Sequence, residues 1–430
     1  MVRRVRETAE PSISPALALI AAVLTVLVAW GTTAVEQYDF TRYTLLALAH
    51  GGFYLGAVWW VVQRGCRPRD LLLILLGAVL LRGLAVMAPL HLTTDALRYV
   101  WDGRIQAAGF NPYLYVPADE RLEPLRDAAI YPHINQKETA LTIYPPMAQM
   151  IFLLATRIID GIEGMKLVML VFEAATVAAV MLWLRTDGLP LERVVVYAWH
   201  PLPIWEFASQ AHIDAAATAL LVLAIVATVR GHQGWAGVAL AGAALVKYFP
   251  AVLIPAVWRR WNASLPIALA VTATFLYVPY WVGAGPKVLG SLFQHLDREG
   301  YTAGDGFHVI WLLRDFASAD LPGKLYITTA ALAMTALAVI ALVRRRADEI
   351  RPEHLVMLGA AFVWLTSPHY PWYFAWLIPL LARHMSPAVL VFTLLSPLYY
   401  LPSLTWSAYY LAVFGTLPLL LAIQAAGSRK

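Results

Sequence analysis

Residues capable of chemistry collect in one stretch of an otherwise apolar chain. Between Pro89 and Tyr144 it reads His91-Leu-Thr-Thr-Asp95-Ala-Leu-Arg98-Tyr-Val-Trp101-Asp102-Gly-Arg104, then Asn111-Pro-Tyr113 and Tyr144-Pro-Pro146. A helix over 94–106 would space Asp95, Arg98 and Asp102 at i, i+3 and i+7, on one face. Moving a glycosyl group from a phosphorylated carrier to a hydroxyl needs such a set, because a carboxylate takes the hydroxyl proton and a cation stabilises the departing phosphate. Asp95 and Asp102 are therefore the catalytic candidates, with Asp95 nearer the membrane, where a lipid phosphate would lie. An N-capped juxtamembrane helix carrying a surface ion pair explains the same spacing without chemistry.

Ionisable groups inside apolar segments are costly, so each needs a partner, a cavity or a route to the interface. Arg82, Glu173, Glu206 and Lys247 are such groups. Lys247, in Lys247-Tyr-Phe-Pro250, either binds phosphate in an outer cavity or pairs with Glu173 or Glu206. Arg82 lies about two turns below the outer end of its span and can snorkel. Arg98, Arg104 and His308 complete the candidate phosphate site. His212 and Asp214 would diverge by about 200° on one helix, so a single metal could hold both only in an extended turn. No metal is expected there; the pair either contacts sugar hydroxyls or caps a span. His369 sits at the same level and, like His308, could assist the phosphate. Tyr99, Trp101, Tyr113 and Tyr144 offer ring faces either for sugar stacking or for an interfacial belt.

The elements that must position these residues follow from composition. Of the 430 residues, 60% are hydrophobic and only 14% charged, too little polar surface for a soluble globule. Long apolar runs without strand alternation make the chain an all-α polytopic membrane protein. The net charge of +5 sits mostly in basic clusters beside spans, a pattern that orients helices and implies no nucleic-acid partner. Cys66 is the only cysteine, which excludes an intrachain disulfide and a multi-thiolate metal site. No Gly-rich phosphate loop is present, so no nucleotide site and no cofactor are expected.

Ser14 and Pro15 read as an N-cap and first-turn pair opening a retained first span to about residue 34. Further spans are expected at 43–63 and 71–90. Arg3, Arg4 and Arg6, with Arg64, Arg67 and Arg69, assign the flanking ends to the cytoplasm and residues 91–144 to the outside. Residues 147–159 are too short to cross comfortably and read as an interfacial helix. Crossings follow at 166–184, 194–208 and 215–229. Residues 235–258, interrupted at Lys247, fit a hairpin dipping from the cytoplasm with Lys247 at its tip. The crossing 265–282, an outer loop 283–322, the crossing 326–343 ahead of Arg344-Arg-Arg346, and four further spans complete the chain. The count is twelve crossings with both termini cytoplasmic, in one domain over 1–430 with outer loops 91–145 and 283–322. A count of fourteen would move His212 to the other side.

Together, Asp95-x-x-Arg98-Tyr-x-Trp-Asp102-Gly, Gly109-x-Asn-Pro-Tyr113, Tyr144-Pro-Pro146, His212-x-Asp214, Lys247-x-x-Pro250 and Pro371-Trp-Tyr373 resemble bacterial C-superfold (GT-C) glycosyltransferases. The resemblance runs from Asp95 to about Pro379 and is closest to the polyprenol-phosphate-mannose-dependent mannosyltransferases of family 87. It implies an inverting hexosyltransferase of the plasma (inner) membrane and cell envelope. Such an enzyme takes one sugar, by family weighting mannose, from a polyprenyl-phosphate donor at the outer face and passes it to a lipid or glycan acceptor, usually without metal. It implies Asp95 as base, and His212 and Asp214 as a second polar site. This chain departs from the pattern by two additional leading spans and by lacking the adjacent acidic pair of some members. A secondary transporter, or a flippase that binds polyprenyl-linked glycans without chemistry, is the alternative.

Overall fold

A computed structural model describes residues 12–344 and 349–427; Arg3, Arg4, Arg6, Arg345 and Arg346 lie outside the described residues. Helices α1 (Pro15–Glu36), α2 (Phe40–Gln63) and α3 (Asp70–Ala85) come first, and α4 (Asp95–Ala107) and α5 (Pro146–Ile158) bracket the first polar loop. Helix α6 (Ile162–Thr186) leads to a broken segment made of α7 (Val195–Ala198) and a π-helical stretch, Pro203–Ser209. Then come α8 (Asp214–Val229), α9 (Gln233–Val246), the short α10 (Ile254–Val257) and α11 (Ser264–Ala284). The second polar loop carries α12 (Leu292–Arg298) and α13 (His308–Ala317). Helices α14 (Gly323–Val343), α15 (Pro352–Thr366), α16 (Ile378–Arg383), α17 (Pro387–Leu395), α18 (Trp406–Tyr410) and α19 (Thr416–Gly427) complete the fold.

The described residues contain no strand, as a lipid-embedded backbone requires of an open fold. Among the described residues, six helical segments are long and apolar enough to cross a membrane: Pro15–Glu36, Phe40–Gln63, Ile162–Thr186, Ser264–Arg298, Gly323–Val343 and Trp406–Ala426. The pair Pro203–Ser209 and Asp214–Val229 meets at 117°, and several shorter apolar helices fill the bundle. The fold is that of an all-α polytopic membrane protein.

Several polar side chains serve this packing. Ser14 does not cap its own helix; its N and Oγ donate to the Asp70 carboxylate at 2.8 and 2.5 Å, tying α1 to α3. Arg82 does not snorkel. Its guanidinium contacts Glu173 at 2.7 Å and donates to the Ala198 carbonyl at 2.7 Å, and Glu173 also accepts from the Tyr197 hydroxyl. The helical ladder breaks after α7: Pro201 and Pro203 carry no N–H, and Leu202 N donates to His200 Nδ1 at 3.1 Å, so nearby carbonyls find side-chain donors. Tyr54 supplies Val196 at 2.6 Å, Arg82 supplies Ala198, and the His50 ring reaches Trp199 at 3.0 Å.

The segment after α8 reverses as a hairpin. Helix α9 stops at Val246, Lys247 is extended (φ −147°, ψ 143°), and the chain turns back through 249–257. The two ends meet: Arg259 N donates to Gln233 Oε1 at 3.0 Å, and its guanidinium to Thr228 O at 3.0 Å. Helix α5 packs beside α4, where a Cβ on Gly103 would lie 2.4 Å from the Phe152 carbonyl oxygen. Only glycine permits that approach.

Candidate active site

Helix α3 ends earlier than its apolar run, and residues 86–94 carry the chain to α4. Lys166 Nζ donates to the Val86 and Ala88 carbonyls at 2.8 and 2.6 Å. Gln210 clasps the same loop, donating to Pro89 O at 3.1 Å and accepting from Leu92 N at 3.2 Å. These bonds set Asp95, the first residue of α4, beside the turn 210–213. His212 Nδ1 lies 3.8 Å from Asp95 Oδ2, and on the hairpin tip Lys247 Nζ lies 2.7 Å from Asp214 Oδ2.

Asp95 faces a polar chamber of about 600 Å³ whose wall also holds Arg98, Lys247, Arg298, Glu299 and Tyr373. Its side chain is 31% exposed and lines the chamber. Desolvation there pushes its pKa up to about 6; Lys247 opposes the shift, while Asp214 and Glu299 add to it. Glu299 is held below the usual carboxylate range: burial raises it, but the hydrogen bond and charge of His369, with the charge of His295 and a hydrogen bond from Tyr370, lower it. The chamber runs into an apolar groove of about 420 Å³ lined by Phe249, Leu292, Phe307, Ile327 and Phe362. Tyr144, Lys247, His295, Glu299, Tyr370 and Tyr373 border both spaces. A third cavity, about 940 Å³, meets the chamber at His91 and Thr94; Glu163, Lys166 and Leu167 lie on its wall.

Of the residues singled out in the sequence, Asp95, Arg98, Tyr144 and Lys247 line the chamber. His369 lines the apolar groove, 3.3 Å from Glu299. His212 and Asp214 stand fully buried just behind the chamber, and the partner of Lys247 is Asp214, not Glu173 or Glu206.

Other placements differ from expectation. Asp102 is fully buried, its carboxylate filled by Arg98 Nε at 2.8 Å and Gln149 Nε2 at 2.9 Å, so it orients Arg98 and does not reach the chamber. Arg104 is taken up by Asp127 at 2.6 Å and Asp160 at 3.1 Å, away from the chamber. His308 opens α13 against Ser367 and the Phe414 ring; burial pushes it down to about 3, which leaves no cation for a phosphate. Tyr99 stacks on Phe152, Trp101 packs on Tyr131, and Tyr113 packs on Tyr280. Their rings hold the loop together.

Arg298, His295 and Glu299 were not anticipated; α12 brings them to the chamber from the middle of the second polar loop. Tyr370, Trp372, Tyr373 and Tyr399 supply its aromatic wall. For Trp372 and Tyr373 the signal was present in Pro371-Trp-Tyr373.

The family model for Glycosyltransferase family 87 matches residues 142–368, more than half of the chain. That region includes Lys247 and α12 but begins after Asp95. No curated protein and no solved structure matches the chain. The all-helical membrane fold and this match agree with the GT-C resemblance, and the chain belongs to glycosyltransferase family 87.

Proposed function

We propose that this membrane glycosyltransferase moves one hexose, mannose by its family resemblance, from a polyprenyl phosphate to a hydroxyl of a lipid or glycan acceptor. The site faces outside the plasma membrane, with twelve crossings and both termini cytoplasmic. One observation carries the reading: Asp95 and Lys247 open on a polar chamber that continues into an apolar groove. A charged head on a long apolar tail is the ligand class suited to that pair of spaces. The tail lies along Phe249, Ile327 and Phe362, and the phosphate is held by Lys247, Arg98 and Arg298.

The acceptor hydroxyl comes to Asp95, which takes its proton. The acceptor oxygen bonds to the anomeric carbon, the bond from that carbon to the phosphate oxygen breaks, and its electron pair stays on the phosphate. Attack opposite the leaving phosphate inverts the anomeric centre. The cavity that joins at His91 and Thr94 supports approach of the acceptor from the side away from the donor groove. Purified protein incubated with a panel of polyprenyl-phosphate sugars should release free polyprenyl phosphate with one of them, in step with glycosylated product. Solute uptake by proteoliposomes without any product would instead support transport.

A further inference from the structure

His212 stands between two carboxyl groups. Its Nδ1 is 3.8 Å from Asp95 Oδ2, and its Nε2 is 3.6 Å from Glu206 Oε2. Among the described residues neither buried ring nitrogen has a hydrogen-bond partner, although buried imidazoles normally satisfy at least one. The ring is stacked on Trp372 at a centroid distance of 3.9 Å. Its backbone is fixed as well: His212 N donates to Glu206 O at 3.0 Å, and Ala211 takes a left-handed φ of 57°, a costly conformation for a non-glycine residue. Glu206 in turn faces the Tyr400 hydroxyl at 3.2 Å. An ordered imidazole aimed at the candidate base, with unfilled hydrogen-bonding capacity on both sides, fits a contact that shortens when substrate closes the chamber.

We propose that His212 is a positioning residue for Asp95, donating its Nδ1–H to Oδ2, while a Glu206 carboxyl O–H donated to Nε2 holds that tautomer. This rests on Asp95 being the base of the proposed transfer. The contact turns the other carboxylate oxygen, Oδ1, toward the acceptor hydroxyl and favours the ionised form. The other charges acting on Asp95 come from Lys247, Asp214 and Glu299. Lys247 also acts on His212, and Asp214 on Glu206.

The test is the pH dependence of kcat in the full-length protein. His212→Phe keeps a ring against Trp372 and removes the donor. The expected result is a fall in kcat of about a hundredfold, with the donor KM unchanged and the acid limb displaced to higher pH. His212→Asn, whose amide can donate from near the Nδ1 position, should move the limb back toward wild type. If His212→Phe does not fold, Glu206→Met supplies the same measurement, since it frees Nε2 and also shifts the limb upward. A limb at its wild-type position in the folded variants overturns the proposal, whatever happens to kcat. Wild-type turnover by Asp95→Asn would instead sink the base assignment beneath it.

Discussion

Lys247 Nζ lies 2.7 Å from Asp214 Oδ2, with the carboxylate fully buried and 11% of the lysine side chain exposed. The ammonium also sits 4.4 Å from the centre of the Tyr373 ring. One cation therefore neutralises a buried acid on one side and faces the chamber on the other. A broken hairpin tip is the position from which it can do both.

Lys247→Met should fail twice. Leaving Asp214 buried and unpaired should cost about 3 kcal/mol or more of stability, and the donor KM should rise. Adding Asp214→Asn removes the orphaned charge, so the double variant should regain thermal stability without regaining donor affinity. Melting curves set beside donor titrations separate the two effects. Equal recovery of both would show that Lys247 matters only for folding.

The acid limb of activity follows from Asp95. As the proposed base Asp95 must be ionised, and its carboxyl is raised to about 6, so activity should be lost as pH falls through that value and level off above it. At pH 5 about one molecule in ten would carry the carboxylate, for an activity near a tenth of the plateau. Asp95→Asn should remove transfer at every pH while donor binding persists. Initial rates across pH 4.5 to 8 in a constant-ionic-strength buffer check both statements.

What could be read in the sequence tracks where local rules govern. Helix α4 begins at Asp95 and ends at Ala107, one residue from the range that the Asp95, Arg98 and Asp102 spacing predicts. The hairpin was readable because Lys247 and Pro250 interrupt an apolar run flanked by polar ends. Arg298 was not, since α12 is a short helix inside a loop without apolar periodicity, and only tertiary packing brings it to the chamber. Asp102 and Arg104 show the converse limit. Face and spacing place Asp102 with Asp95, and proximity in sequence makes Arg104 a candidate cation, yet which partner takes each charge depends on Gln149, Asp127 and Asp160, residues remote in sequence.

The two unlike arginines give a paired prediction. Arg298 lines the chamber, so Arg298→Gln should raise the donor KM about tenfold. Arg104 braces the first polar loop through Asp127 and Asp160. Arg104→Gln should leave the donor KM alone and loosen that loop, seen as faster amide exchange around 127–131. A donor KM that responds to Arg104 and not to Arg298 would relocate the phosphate.

The apolar groove predicts how rate depends on lipid length. Ile327 and Phe362 line it, and Ile327 is 42% exposed, so a larger side chain there narrows the path of the tail without touching Asp95 or Lys247. Each buried methylene contributes about 0.8 kcal/mol, so wild-type protein should prefer long polyprenyl donors over short ones until the groove is filled. Ile327→Trp should abolish most of that preference by raising the KM of long donors, while the kcat of a short-chain donor stays near wild type. Steady-state kinetics on a series of isoprenoid lengths reads the effect directly. An unchanged length dependence in Ile327→Trp would mean that the tail runs elsewhere, the cavity bordered by Lys166 and Leu167 being the other path that reaches the loop carrying Asp95.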